Sequence, residues 1–331
     1  MADTFKALVA DNKTGDYQVE FRDLPEQELP SGEVSIAVEY STLNYKDALA
    51  ITNKAPIVQN FPLILGIDLA GKIVESNHRN FKSGDVVLVN GFGLSERHNG
   101  GYTQRAHVNG DSVIHIPKGL TTKKTMAIGT AGYTAMLSVM RLQEGGVKPE
   151  SGPILVTGAV GGVGSISISL LKKLGYQVIA STGRKNETEY LKSLGADEVI
   201  DRNILSASAK PLQKTKWAGA IDSVGSHTLA NVIAQTNYNG VVTTCGLAQG
   251  ADLPATVMPF ILRNVALLGV DSVNTPIERR VEAWNRLDNE LETKKIEEIA
   301  RVVAFSDIMI HAISLLEGNI RGRVIVDINQ I

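Results

Sequence analysis

The sequence predicts an α/β protein with two parts, a strand-rich, barrel-like β domain and a doubly wound parallel sheet with helices on both faces. Three observations carry this. The first third holds short apolar segments separated by turn residues. Residues 154–175 read as strand, glycine turn and helix. Beyond them, apolar strands alternate with helical stretches as far as residue 270.

The β domain begins with a strand at 6–10. Residues 33–40 alternate polar and apolar, with Val34, Ile36, Val38 and Tyr40 on one face, the period of a half-buried strand. Strands follow at 69–76 and 86–90, the second after a Ser83-Gly84-Asp85 turn, and then at 102–108 and 112–116. One helical insert interrupts them at 44–51, and Pro117 to Gly119 marks the exit. Residues 124–142 are a long helix broken at Gly129 to Gly132.

Ile154 to Thr157 is then a buried strand, followed by Gly158, Ala159, Gly161, Gly162 and Gly164 in a tight turn. A helix over 165–174 closes at Gly175. The fingerprint is Ala159-x-Gly161-x-x-Gly164. A pyrophosphate needs free N–H groups at a helix N-terminus and no side chains to hold it off, so this context points to a dinucleotide. A glycine turn that only packs helix on strand is the simpler alternative, but it does not explain four glycines in one turn. Strands at 177–181, 197–201, 218–224, 240–245 and 265–270, with helices at 185–194 and 229–235, continue the parallel sheet. Helices at 276–291 and 306–316 and a strand at 322–328 end the chain.

Composition narrows the function. The chain has 331 residues, 43% hydrophobic and 21% charged, with a net charge of −2. Nothing in it favours a nucleic acid or an anionic membrane as partner. No apolar run approaches the ~18 residues of a membrane span, and the N-terminus lacks an apolar leader core. The single cysteine, Cys245, excludes internal disulfides and reads as a small core residue within a strand. A cytoplasmic setting fits.

The end of the second parallel strand reads Ser181-Thr182-Gly183-Arg184-Lys185. An NAD site would carry a carboxylate there for the ribose 2′-OH, and none is present. Hydroxyls and cations suit the 2′-phosphate of NADP, with Arg202 past the third strand joining them. A solvated basic turn is the alternative. At Gly66-Ile67-Asp68, where zinc dehydrogenases carry Gly-His-Glu, Ile67 replaces the histidine. The six histidines are scattered without ligand spacing, so no metal is expected and Asp68 reads as a hydrogen-bonded structural acid.

Several motifs together resemble the quinone-oxidoreductase branch of the medium-chain dehydrogenase/reductases, and within it the YhdH/YhfP, acrylyl-CoA reductase-type family. They are Leu43 to Leu49, Phe61-Pro62 with Gly66 to Asp68, Gly129 to Met136, Thr157 to Gly164, and Met258 to Asn264. The resemblance implies a GroES-like barrel over 1–124 with 296–331, and a Rossmann NADP-binding domain over 125–295. It implies NADPH-dependent reduction of an activated carbon–carbon double bond: hydride to the β-carbon, charge on the carbonyl oxygen, a proton to the α-carbon.

The resemblance also implies residue roles. Tyr45 lies beside the nicotinamide in the domain cleft, as proton donor or as packing surface only. Asn44 orients a carboxamide or carbonyl, and Asp47 fixes Tyr45 or Lys46. Val160, Gly161, Gly162 and Val163 meet the pyrophosphate. Ser181, Thr182, Gly183, Arg184 and Arg202 surround the 2′-phosphate. Leu247, Ile261 and Ser272 approach the nicotinamide, although Leu247 and Ile261 also read as core residues. Gly318 or Asn319 closes the site, while Thr130 and Tyr133 pack. The 265–270 strand is an edge that pairs with its twin in a homodimer. The acceptor is a small molecule, an enoyl-CoA, a quinone or a free enone. A CoA would call on Lys46, Lys54 or Arg263. A non-catalytic NADPH-binding protein is the reading from another class.

Overall fold

The computed structural model describes residues 4–13, 15–29, 31–208 and 210–331. Residues 1–3, within the segment read for a leader, lie outside the described residues. The chain forms two compact units. One comprises Met1–Thr130, Val273–Asp288 and Ile296–Ile331, the other Ala131–Ser272 and Asn289–Lys295.

The first unit opens with β1 (Thr4–Asp11), β2 (Gln18–Pro25), β3 (Val34–Leu43), α1 (Tyr45–Ile51), β4 (Leu63–Ile64) and β5 (Asp68–Ser76). It continues with β6 (Val86–Asn90), β7 (Arg105–Val108), β8 (Ile114–His115) and α2 (Thr122–Glu144), which leads into the second unit. β3 buries Val34, Ile36 and Val38 as the alternation predicts. Tyr40 departs from that face because the ladder with β5 slips between Val38 and Tyr40. Past the slip, Ser41, Thr42 and Leu43 are all buried. α2 breaks at Gly129, whose φ of 51° and ψ of −162° are not helical. An added Cβ there would stand 2.6 Å from Arg323 Nη2 and 3.0 Å from Asp68 Oδ2.

The second unit holds β9 (Ile154–Val156), α3 (Gly162–Lys173), β10 (Val178–Thr182), α4 (Thr188–Leu194), β11 (Glu198–Asp201), β12 (Trp217–Asp222), α5 (Ser226–Ala234), β13 (Thr236–Thr244), α6 (Met258–Arg263) and β14 (Ala266–Gly269). The strands are all parallel, in the order β11-β10-β9-β12-β13-β14. Ranked along this unit the order is 3-2-1-4-5-6, the doubly wound arrangement that opens a binding crevice at the strands' carboxyl ends. α3 begins at Gly162, three residues earlier than the sequence suggests, so Gly162 and Gly164 belong to its first turn. Cys245 lies one residue past β13 rather than inside it, half-buried at the carboxyl edge.

The chain ends with α7 (Ile277–Glu290), α8 (Thr293–Ile299), β15 (Ala300–Ala304), α9 (Ile308–Leu316) and β16 (Arg323–Asp327). In the first unit these complete a seven-stranded sheet, β15-β16-β3-β5-β6-β8 with β7 on β3, beside the three-stranded sheet β2-β1-β4. Its core gathers Leu8, Ile36, Leu69, Val89, Phe305 and Val326, and α9 packs on α1.

Candidate active site

In the second unit the glycine turn forms a cradle at the carboxyl end of β9. Gly158 has φ +58°, and a Cβ on it would meet Ser223 Oγ at 2.4 Å. A Cβ on Gly164 would stand 2.5 Å from the Gly158 carbonyl oxygen, so α3 approaches the strand only through glycine. The N–H of Gly161 is bonded to the Gly158 carbonyl and that of Ser165 to the Gly161 carbonyl. Gly162 and Val163, in the first helical turn, have N–H groups with no intrahelical acceptor and are half-exposed. Such a helix end takes an anion. Beneath it, buried Asp222 accepts from Thr157 Oγ1 at 2.7 Å and from the Gly225 N–H at 2.8 Å, tying β12 to β9. Burial pushes its carboxyl pKa up. Cys245, with its thiol on the Asp222 carbonyl at 3.4 Å, is pushed up to about 12 by burial and by Asp222, so it is no thiolate nucleophile near neutral pH.

At the end of β10, Ser181 and Thr182 are buried, and Thr182 Oγ1 accepts from the Arg184 N–H at 3.0 Å. Gly183 is exposed, and a Cβ on it would stand 2.5 Å from Arg202 Nε. The Arg202 guanidinium therefore lies on the Gly183 backbone, which brings together two positions the sequence places in one pocket. Among the described residues no carboxylate pairs with exposed Arg202. Leu247 and Ile261 are not core residues; they are 61% and 72% exposed. Ser272 is half-buried at the end of this unit's first segment.

In the first unit, Tyr45 opens α1 and is 47% exposed, and among the described residues its hydroxyl has no partner. Asn44 and Asp47 set that corner. The Asp47 carboxylate is wholly buried and accepts from the Asn44 N–H and the Ile67 N–H, both at 2.9 Å. The Asn44 amide nitrogen, with two hydrogens to give, lies 2.7 Å from Asp68 Oδ2, 2.9 Å from Thr42 Oγ1 and 3.1 Å from Asp47 Oδ2. Burial, and next the charge of Asp68, pushes the Asp47 pKa up to about 7. Gly318, exposed with φ +75°, ends α9 in this unit.

Asp68 is the hydrogen-bonded structural acid that the sequence suggests. It accepts from Thr42 Oγ1 at 2.8 Å, the Thr130 N–H at 3.0 Å and Thr130 Oγ1 at 2.5 Å, besides Asn44. Thr130, read as packing, thus also bonds through its hydroxyl. Ile67 supplies no donor for a metal, and among the described residues no group of three His, Cys, Asp or Glu is placed to hold one. The residue that sequence reasoning misses is Arg323, only 3% exposed, which donates to Asn44 Oδ1 at 3.1 Å and to Thr42 Oγ1 at 2.9 Å. Burial pushes its pKa down while Asp68 and Asp47 oppose that. The one local signal is a charge at the head of the apolar run Val324 to Val326, and it does not name its partners.

Two of the cations considered for a CoA are already engaged. Lys46 pairs with Glu96. Arg263 donates to the Ala234 carbonyl at 2.9 Å and the Gln213 carbonyl at 2.7 Å. Lys54 is exposed.

Residues 30–134 match the family described as Alcohol dehydrogenase GroES-like domain, and residues 162–289 the one described as Zinc-binding dehydrogenase. The chain is 50% identical to the probable acrylyl-CoA reductase AcuI of Escherichia coli, over 98% of this chain and 100% of that one. A structure of the Salmonella enterica YhdH oxidoreductase in complex with NADP is 48% identical, with a TM-score of 0.95, covering 97% of this chain and 99% of that one. Bacillus subtilis YhfP, solved with NAD bound, is 43% identical with a TM-score of 0.94, over 98% of this chain and 100% of that one.

Proposed function

We propose the function of this protein from the premise that the chain belongs to the YhdH/YhfP family of medium-chain dehydrogenase/reductases, the acrylyl-CoA reductase type. It is an NADPH-dependent reductase of an activated carbon–carbon double bond, and its acceptor is a 2-enoyl thioester such as acrylyl-CoA. The observation that carries the cofactor is the end of β10, where Arg202 lies on Gly183 beside Arg184 and the segment Ser181 to Lys185 itself carries no carboxylate for a free ribose 2′-OH. The relative named as an acrylyl-CoA reductase carries the acceptor.

The residues present fit NADPH. A cradle closed to any Cβ at Gly158 and Gly164 leaves the N–H groups of Gly162 and Val163 for the pyrophosphate, with Val160 and Gly161 shaping the turn. Arg184 and Arg202 hold the 2′-phosphate, and Ser181 and Thr182 shape the loop beneath it. Leu247, Ile261, Ser272 and Gly318 are the remaining cofactor contacts, the first three at the nicotinamide end. When bound, NADPH supplies a hydride to the β-carbon.

The chain's own residues manage the charge that then develops on the carbonyl oxygen. With Ile67 in place of a zinc ligand, that task falls to hydrogen-bond donors. Tyr45, exposed and with no hydroxyl partner among the described residues, is the donor nearest in chemistry to the need: its hydroxyl stabilises the oxygen or delivers the α-carbon proton. Asn44 and Asp47, whose polar atoms are engaged within the protein, act by holding the corner from which Tyr45 projects. Lys54 is left as the cation for a CoA phosphate. The enzyme works as a homodimer, and a reduced lone cysteine with NADPH as donor suits the cytoplasm.

The test follows NADPH oxidation with acrylyl-CoA, a benzoquinone and a simple enone. Turnover with acrylyl-CoA at the highest kcat/KM supports the reading. A higher value for the quinone or the enone moves the acceptor class, and no turnover with any of them sinks the enzymatic reading.

A further inference from the structure

β16 runs antiparallel to β3, with Val324 opposite Leu43 and Ile325 opposite Thr42. Extending that register by one residue carries Arg323 past the end of β3 to the level of Asn44, the residue that turns the chain into α1. There its planar fork is used on both arms. Nη1 donates to Asn44 Oδ1 at 3.1 Å, Nη2 to Thr42 Oγ1 at 2.9 Å, and Nε to the Ala127 carbonyl at 3.3 Å. Thr42 passes the contact on, donating to Asp68 Oδ2 at 2.8 Å. The break at Gly129 makes room for this, since a Cβ would collide with Nη2.

Tyr45 is the next residue after Asn44. Among the described residues its hydroxyl touches no protein partner, so nothing at its tip fixes its direction. Its backbone does, and that backbone hangs from Asn44. Asn44 is held through its amide nitrogen by Asp68 and Asp47, and through its amide oxygen by Arg323. A lysine at 323 keeps the charge that two buried carboxylates need but cannot reach Asn44 and Thr42 as a rigid fork.

We propose that Arg323 is a positioning residue for the reaction: by gripping Asn44 and Thr42 together it fixes the N-terminal corner of α1 and so the direction in which Tyr45 projects. The inference rests on the reading that Tyr45 meets the reacting substrate. It adds a residue almost 280 positions away in the chain to the group that shapes the site.

The test uses the full chain and whichever acceptor turns over best. In Arg323→Lys, hydrogen exchange over residues 44–51 accelerates about tenfold or more while β5 and β6 exchange as before, because only the corner is released. kcat falls about 10- to 100-fold while the NADPH Kd, read by fluorescence quenching, changes less than about threefold. In a Tyr45→Ala background the same substitution costs less than about threefold, since the residue being positioned has gone. Should Arg323→Lys fail to fold, Asn44→Ala cuts the link from its other end and is read in the same way. Unchanged exchange over 44–51, or an equal loss of kcat with and without Tyr45, overturns the proposal. Tyr45→Phe separates it from the reading beneath: near-normal turnover removes the hydroxyl as proton donor, and the exchange data and the Tyr45→Ala cycle still decide whether Arg323 positions the ring.

Discussion

Asp47 shows how one residue can be read from its neighbours. Its carboxyl is wholly buried against Asp68, Tyr102 and Arg323, two backbone N–H groups point at it, and its pKa rises from 3.8 to about 7. A raised acid stabilises the fold most below its unfolded pKa, where both states hold the proton. As pH rises from 3.8 towards 7, the unfolded chain has lost that proton while the native chain keeps it, so the contribution declines until the native pKa is passed. Unfolding free energy measured in urea therefore falls with pH in that window, by at most about 1.4 kcal/mol per unit from this group. In Asp47→Asn that component disappears and the profile flattens between about pH 4 and 7. The level also drops, because an amide NH₂ must face one of the two N–H groups. An identical slope in the variant would show that the proton sits elsewhere.

At the scale of elements, the loop after β10 decides the cofactor. Replacing Arg184 with Asp puts a carboxylate where NAD enzymes carry one and removes a cation from the 2′-phosphate. NADPH affinity should weaken about 10- to 100-fold, the value of one or two charge-assisted hydrogen bonds, while NADH affinity holds or improves. Equal NADPH binding by Arg184→Asp and the parent would remove this loop from the site. The same element shows why some of the chain was legible and some was not. The glycine turn and the strands β9 and β10 carry local signals, since a cradle without side chains and a buried parallel strand each restrict residue type on the spot. β2 is passed over although Val19 and Phe21 alternate with Glu20 and Arg22, because that alternation spans only two apolar positions before Asp23 breaks it. α6 spans six residues, too few to show a helical period. Arg323 was hidden for another reason. Its partners, Thr42 and Asn44, are brought to it by the pairing of β16 with β3, and no local pattern encodes that register.

For the whole molecule the open question is assembly. β14 is the last strand of its sheet, and among the described residues it pairs with β13 alone, leaving the backbone groups on its far side without a ladder. Nearby, Val257, Met258 and Leu262 on and before α6 expose apolar surface. A bare edge beside exposed apolar side chains invites unwanted pairing unless something covers it. A second copy of the same strand covers it most simply. Two parallel sheets related by a two-fold axis meet with their edge strands antiparallel, and both edges vanish at once. The net charge of −2 puts little repulsion between two copies. Light scattering on the protein eluting from a sizing column should then report about twice the 35.5 kDa of one chain. Leu267 packs inward on the core of this unit, so its neighbour Leu268 points to the opposite face. A lysine at Leu268, on the edge strand itself, adds one charge to each copy beside the proposed joint and should shift the population towards single chains. A single-chain mass for the parent protein at tens of micromolar, roughly where stable homodimers persist, would leave the edge uncovered by its twin and the dimer reading without support.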